Sequence, residues 1–258
     1  MRFMDREDRR ARELAKIEAA ERRTEERLAK QHERINKRFE RMRQRLDQRY
    51  GQATDHQQRI VEAALELLKK DGLNNLSLRK LARQLNMQAP ALYWHFQNKE
   101  ILIDYLAEAI LAREFHDLRP RPEDEPWQDW LTDHMSRLRS AMLAYPDGGR
   151  VVAGAHLYPA VTLGKLFECT LESLVSAGFE LRAARIITMT ASTYTFGFVI
   201  EEQASPNIED IEQFLDDELA NERYPRLMEA ERAARKGHHN MDEDYRAGLA
   251  YIIRGAAA

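Results

Sequence analysis

Cysteine is nearly absent from this chain. Cys169 stands alone among 258 residues, which excludes an intrachain disulfide and a cysteine-rich zinc site and allows only a bond between subunits. A thiol packed into the core is the plainer expectation. Long apolar runs are missing too: no stretch approaches the roughly 20 uninterrupted apolar residues of a membrane span. Arg2 and Asp5 stand where a secretory segment would begin its apolar run, so a cytoplasmic protein without membrane attachment is expected. There is no phosphate-cradling glycine loop, no GxSxG, no HExxH and no cysteine paired by motif to a base. These absences argue against an enzyme and against a resident cofactor or metal. The pair His238-His239 lies in a polar stretch without suitably spaced partners and makes a poor metal site.

What the chain does have is charge, unevenly spread. Residues 1–50 hold 17 Lys and Arg against 11 Asp and Glu, and residues 51–100 hold 7 against 5, so the first hundred carry +8 and the remainder −11 within a total of −3. A basic first part joined to an acidic second part suits a chain whose first part meets a polyanion; two oppositely charged surfaces without that role are the plain alternative. Residues 1–50 are rich in Arg, Glu, Lys, Gln and Ala, and neither proline nor glycine occurs before Gly51, so a long charged helix is expected there. A heptad frame through Leu14, Leu28, Ile35 and Met42 also puts Glu21 at an a position, with Thr24, Gln31 and Arg38 at d. That seam is weak. It suits either a coiled coil with a second copy or a solvated basic arm.

From residue 54 the pattern changes to short amphipathic helices with clear stops. Three segments are therefore expected: a charged extension over 1–50, a head of short helices over 54–100, and a helical body over 101–258. Thr54 and Gln57 fit a capping box ahead of Ile60, Ala64, Leu67 and Leu68 at helical spacing, and Gly72 ends that helix. Ser77 can cap a second helix with Leu78, Leu81, Ala82 and Leu85 on one face. Asn86 and Met87 then turn the chain, and Pro90 stands near the start of a third helix that runs through Trp94. This order makes a helix-turn-helix, whose second helix lies in the major groove. Downstream, Pro120, Pro122 and Pro126 mark a linker. Further helices are expected near 125–144, 151–157, 160–177, 181–203, 209–219 and 242–255, with residues 220–241 as a polar mobile loop. No period-two alternation is sustained, so the fold class is all-α.

The run SLRKLARQLNMQAPALYWHFQNK, residues 77–99, carries groups suited to DNA. Arg79 stands in the first turn of the supporting helix, where its planar fork can reach O6 and N7 of a guanine. Gln88, Ala89, Pro90 and Ala91 form the tip of the recognition helix, and its small apolar part suits thymine methyl groups. Tyr93, His95 and Lys99 are candidates for phosphates, Lys99 with help from the N-terminus of its helix. Leu81, Leu85, Leu92 and Phe96 read as core, and Trp94 as packing. By itself Arg79 would be a surface charge, and a Tyr or His on a short helix is more often structural.

The segment ALELLKKDGLNNLSLRKLARQLNMQAPALYWHFQNKEILID resembles the DNA-binding head of the TetR family. The helix lengths, Gly72, the Ser77-Leu78-Arg79 start, the turn at Asn86-Met87 and the LYWHF-x-NK ending occur together. The likeness extends more loosely to the tetracycline-repressor branch through ILAREF, Trp127-Gln128, Tyr145-x-Asp147-Gly148, Gly178-Phe179 and the run from Phe196 to Gln203. It covers residues 54–255, and residues 1–50 have no counterpart. The resemblance implies a homodimeric repressor that binds a palindromic double-stranded operator and is released by a small-molecule effector. In that branch an Asn and two His, among others, hold a magnesium–tetracycline chelate. The matching positions here are His134, Phe115 and Val152, so the metal-binding histidine falls on valine. Glu201 matches an acid that acts from the partner subunit and cannot hold the metal alone.

The resemblance thus implies an effector other than tetracycline–magnesium, in an apolar and aromatic pocket. Phe115, Trp130, Leu138, Val152, Phe167, Leu171, Met189 and Tyr194 would be among its lining, although each would serve equally as plain core. His134 and His156 would be polar contacts, His156 standing about where the branch has an arginine. The dimer is expected to form through the helices near 181–203 and 242–255, where Ile186, Ile187, Met189, Tyr194 and Phe198, with Leu249, Ile252 and Ile253, exceed one apolar stripe. The competing function is a coiled-coil scaffold whose body merely dimerises. Such a scaffold has no need of the Gln88–Ala91 tip beside Arg79 and Lys99.

Overall fold

A computed structural model describes residues 55–204, 208–236 and 240–256, together with isolated helical positions at Arg23, Lys30, Glu33, Arg34, Lys37 and Arg41. The choice between coiled coil and basic arm, the Thr54 cap and the His238-His239 pair lie outside the described residues. The chain divides into two compact units, residues 1–52 and 53–258. Among the described residues the second unit is built from twelve helices and no strand, as an all-α fold requires. Helices α1 (Asp55–Asp71), α2 (Leu78–Gln84), α3 (Ala89–His95) and α4 (Lys99–Glu114) come first. They are followed by α5 (Trp127–Leu143), α6 (Gly148–Ala153), α7 (Val161–Ser176) and α8 (Leu181–Ala204). The last four are α9 (Ile208–Asp216), α10 (Glu218–Arg223), α11 (Pro225–Lys236) and α12 (Met241–Ala256).

Local chemistry sets the first four helices. Gly72 ends α1 at φ +70°, with its N–H bonded to the Leu68 carbonyl at 3.0 Å. The Ser77 hydroxyl accepts the Lys80 N–H at 3.2 Å and so caps α2. At the other end of α2, Asn86 takes φ +53°. The Met87 and Asn86 N–H groups then return to the carbonyls of Ala82 (2.9 Å) and Arg83 (3.2 Å), which satisfies two terminal carbonyls and reverses the chain. Asn98 caps α4 by accepting the Ile101 N–H at 2.8 Å.

Ile60, Leu65 and Leu68 of α1, Leu81 of α2, and Leu92 and Phe96 at the end of α3 are sealed together over Leu102 and Leu106 of α4. The same core runs on without a break at residue 100. Ile110 and Leu111 of α4 join it to Leu138 of α5, Val152 of α6, Leu166 and Cys169 of α7, Val199 of α8 and Leu249 of α12. Helix α4 is thus shared between the DNA-binding end and the body. Burial pushes the Cys169 thiol up to about 11, so it stays protonated and behaves as a small apolar side chain.

Three expectations are corrected. The helix expected over 151–157 begins earlier, at Gly148, and ends at Ala153. The segment 220–241, expected as a mobile loop, carries α10 and α11. Its polarity hid Ala220 and Met228, which close a small core with Leu215 of α9. Asp217 breaks the helix expected over 209–219 and caps α10 by accepting the Ala220 N–H at 3.0 Å. Asn221 and Arg232 both donate to the Leu215 carbonyl left at the break, at 2.9 and 2.6 Å.

Candidate nucleic-acid interface and ligand pocket

Between Asp71 and Glu100 the chain has no carboxylate, while it carries Arg79, Lys80, Arg83 and Lys99. The helix-turn-helix stretch therefore carries net positive charge, of which Lys80 is paired with Asp71 at 2.8 Å. Arg79, Gln88, Pro90, Ala91 and Tyr93 are exposed, and Ala89 is half-buried against the core. Trp94 corrects the packing expectation, because it is 89% exposed. Leu92 and Phe96, four apart, seal the inner face of this short helix, and Trp94 lies two residues from each, about 200° round the axis. Period alone would have placed it outward. His95 is half-buried and faces His56, with ring centres 5.0 Å apart. Burial first, and His56 second, lower its proton affinity. The Lys99 ammonium donates to the Leu73 carbonyl at 2.8 Å, so it ties α4 to the α1–α2 loop besides lying among the candidate phosphate contacts.

That loop is also where the head meets the body. The Leu73 N–H donates to the Asp147 carboxylate at 2.8 Å. Asp147 sits in the left-handed region at φ +58° and opens α6. Gln203 of α8 holds the same turn: its amide donates to the Tyr145 carbonyl at 2.8 Å, and its oxygen accepts the Gly149 N–H at 3.0 Å. Arg113 of α4 bonds both the Tyr145 hydroxyl and Glu62 of α1. Residues 145–149 thus form a joint linking α8, α4 and the head.

In the body, Trp130 and His134 stack with ring centres 3.8 Å apart, and Phe115 lies 6.3 Å from His134. The His134 Nδ1–H donates to the Trp130 carbonyl at 2.9 Å, while burial pushes its proton affinity down. The ring is therefore neutral at pH 7, with its Nε2 lone pair free to accept from a ligand. Leu138 and Val152 are fully buried nearby in the same core, and Phe167 and Leu171 of α7 pack against it half-buried. Met189 is half-buried on α8.

Two expected pocket residues are placed differently. Tyr194 is committed to α12: its hydroxyl donates to the Tyr245 carbonyl at 3.0 Å and its ring stacks on Tyr245. His156 has a side chain 75% exposed, and its backbone N–H donates to the buried Asp104 of α4 at 2.8 Å. Glu201 is exposed. Sequence reasoning missed Asp104 and Arg139. Arg139 of α5 is held by Glu202 of α8 at 2.9 and 2.7 Å and by Asp242 of α12 at 2.6 Å, against the rings of Phe198 and Tyr245.

Residues 60–106 match the family described as bacterial regulatory proteins, tetR family, and residues 119–258 match the tetracyclin repressor-like C-terminal domain. The class C tetracycline repressor of Escherichia coli is 38% identical over 202 residues, which span 77% of this chain and 89% of that protein. A TetR variant from Acinetobacter baumannii AYE in complex with minocycline superposes with a TM-score of 0.57 at 35% identity, covering 76% of this chain and 93% of its own. BioQ with its double-stranded DNA operator superposes with a TM-score of 0.57 at 26% identity, covering 77% and 96%. The chain therefore belongs to the TetR family, on its tetracycline-repressor-like side, as a DNA-binding, ligand-responsive and dimeric transcriptional repressor rather than an enzyme.

Proposed function

We propose that this repressor places α3 in the major groove of a palindromic operator, with α2 across the backbone, and is released by an apolar, aromatic effector that carries no magnesium. The DNA half rests on the carboxylate-free stretch between Asp71 and Glu100 and on the exposed Arg79, Gln88, Pro90, Ala91 and Tyr93. The effector half is carried by one observation. Phe115 and Val152, the positions matched to ligand- and metal-binding residues of the tetracycline repressors, are apolar and buried at 3% and 0% exposure. No group of three His, Cys, Asp or Glu among the described residues can hold a metal ion. Phe115, Trp130, Leu138 and Val152 would wall the effector, and His134 Nε2 would accept its donor. The dimer would form through α8 and α12, where Leu181, Ile186 and Tyr251 stand exposed. We place the protein in the cytoplasm, with its DNA; no described helix is long and apolar enough to cross a membrane.

Two measurements test this reading. On a duplex recovered from a random-sequence pool, Arg79→Ala is expected to weaken binding by about 1–3 kcal/mol and to relax preference at one guanine. Titrations indistinguishable from wild type on every single-base variant would remove Arg79 from the interface. Calorimetric titration with tetracycline and magnesium together is expected to give no binding heat and no release of DNA, and micromolar affinity would overturn the assignment of the effector.

A further inference from the structure

The helix-turn-helix motif has no use for a second histidine, yet His56, exposed in the first turn of α1, stands opposite His95 at the end of α3, with ring centres 5.0 Å apart and planes tilted by 50°. Several charged groups of the neighbouring elements are engaged or basic. Glu62 is bound to Arg113, Lys80 to Asp71 and Lys99 to the Leu73 carbonyl, while Arg59, Arg79 and Arg83 are cations. Asp55 precedes His56 in sequence. The charged partner that acts on His95 is His56 itself. The two rings stand 5.0 Å apart, and the stretch that carries His95 has no carboxylate between Asp71 and Glu100.

We propose that His56 belongs to the DNA interface together with His95, and that the pair takes up protons when the head meets duplex phosphates, so that operator affinity rises as pH falls. The phosphates would bring further negative charge to the pair, which favours the imidazolium form. Imidazoles titrate between pH 5 and 8, and each proton taken up on binding raises affinity by about tenfold per pH unit below the pKa of the bound state and above that of the free state. This inference rests on the DNA-binding reading of α3.

The test uses the full chain and a duplex recovered by it from a random-sequence pool, titrated by fluorescence anisotropy from pH 8 to pH 6 at fixed ionic strength. The wild type is expected to gain affinity on acidification. His56→Gln should lose about half of that slope, and His56→Lys, charged throughout, should lose a similar share while keeping tight binding at pH 8. Unfolding midpoints of all three proteins at both ends of the range separate loss of fold from loss of linkage. An equal slope in wild type and His56→Gln, or a flat wild-type slope with intact binding, overturns the inference alone. Failure of the wild type to retain any duplex at any pH overturns the DNA-binding reading of α3 and the inference with it.

Discussion

Gly148→Ala is expected to destabilise the protein by about 3 kcal/mol or more. A Cβ built at Gly148 lies 2.0 Å from the carbonyl oxygen of Met142 and 2.9 Å from its carbonyl carbon. Both are backbone atoms at the end of α5, so no side-chain rotation relieves the overlap. The turn has little freedom to shift, because Gln203 clamps the Tyr145 carbonyl and the Gly149 N–H, and Asp147 holds the Leu73 N–H. Movement there would also be felt in the head through that last bond. Urea unfolding of the full chain gives the readout. Gly164→Ala in α7 is the control, since an added Cβ there meets nothing within 4 Å; it should be neutral or gain up to about 1 kcal/mol. An unchanged midpoint for Gly148→Ala would mean that the joint is not rigid.

Arg139→Ala is expected to cost about 3 kcal/mol of stability. The guanidinium side chain is 9% exposed and neutralises Glu202, itself 17% exposed, in two parallel bonds, together with the more open Asp242. Truncation would leave a partly buried carboxylate on α8 without its cation and remove the planar group packed on Phe198 and Tyr245. Because Asp242 is 63% exposed, water recovers part of its loss, which keeps the expected figure at the low end of the range for broken buried pairs. Arg139→Lys should recover only a fraction, since an ammonium cannot make the two-pronged contact. Helices α8 and α12 are the proposed dimer face, so sedimentation at micromolar concentration should show weaker association in parallel with the shift in unfolding midpoint. Wild-type stability in Arg139→Ala would show that the cluster is solvated and dispensable.

Much of the DNA-binding head was legible because its signals are local. Gly72, Ser77, Asn86 and Pro90 each act on backbone within a few residues, and the apolar residues of α1 and α2 recur at helical spacing. The branch resemblance pointed to Phe115, Trp130 and His134, which the fold brings together. It also pointed to Tyr194 and His156, which packing directs elsewhere: Gly248 leaves room for the Tyr194 hydroxyl against α12, where a Cβ would lie 2.0 Å from it, and Asp104 draws the His156 backbone onto α4. The polar segment 220–241 read as loop because its stabilising contacts are few and pair Leu215 with residues up to 17 positions away.

The sequence by itself determined an all-helical chain, a helix-turn-helix over α2 and α3 with basic charge and no carboxylate within it, and membership of a family of dimeric repressors. Capping, turn geometry and amphipathic period are short-range properties, set by neighbours on the chain. Only the tertiary structure decided that Leu73 meets Asp147, that Arg139 joins Glu202 and Asp242, and that His56 faces His95. Those pairs are 74, 63, 103 and 39 residues apart, and no local pattern states which faces of two distant helices meet. That choice follows from packing the whole core at once, because each buried polar group needs a partner wherever the apolar surfaces bring one within reach.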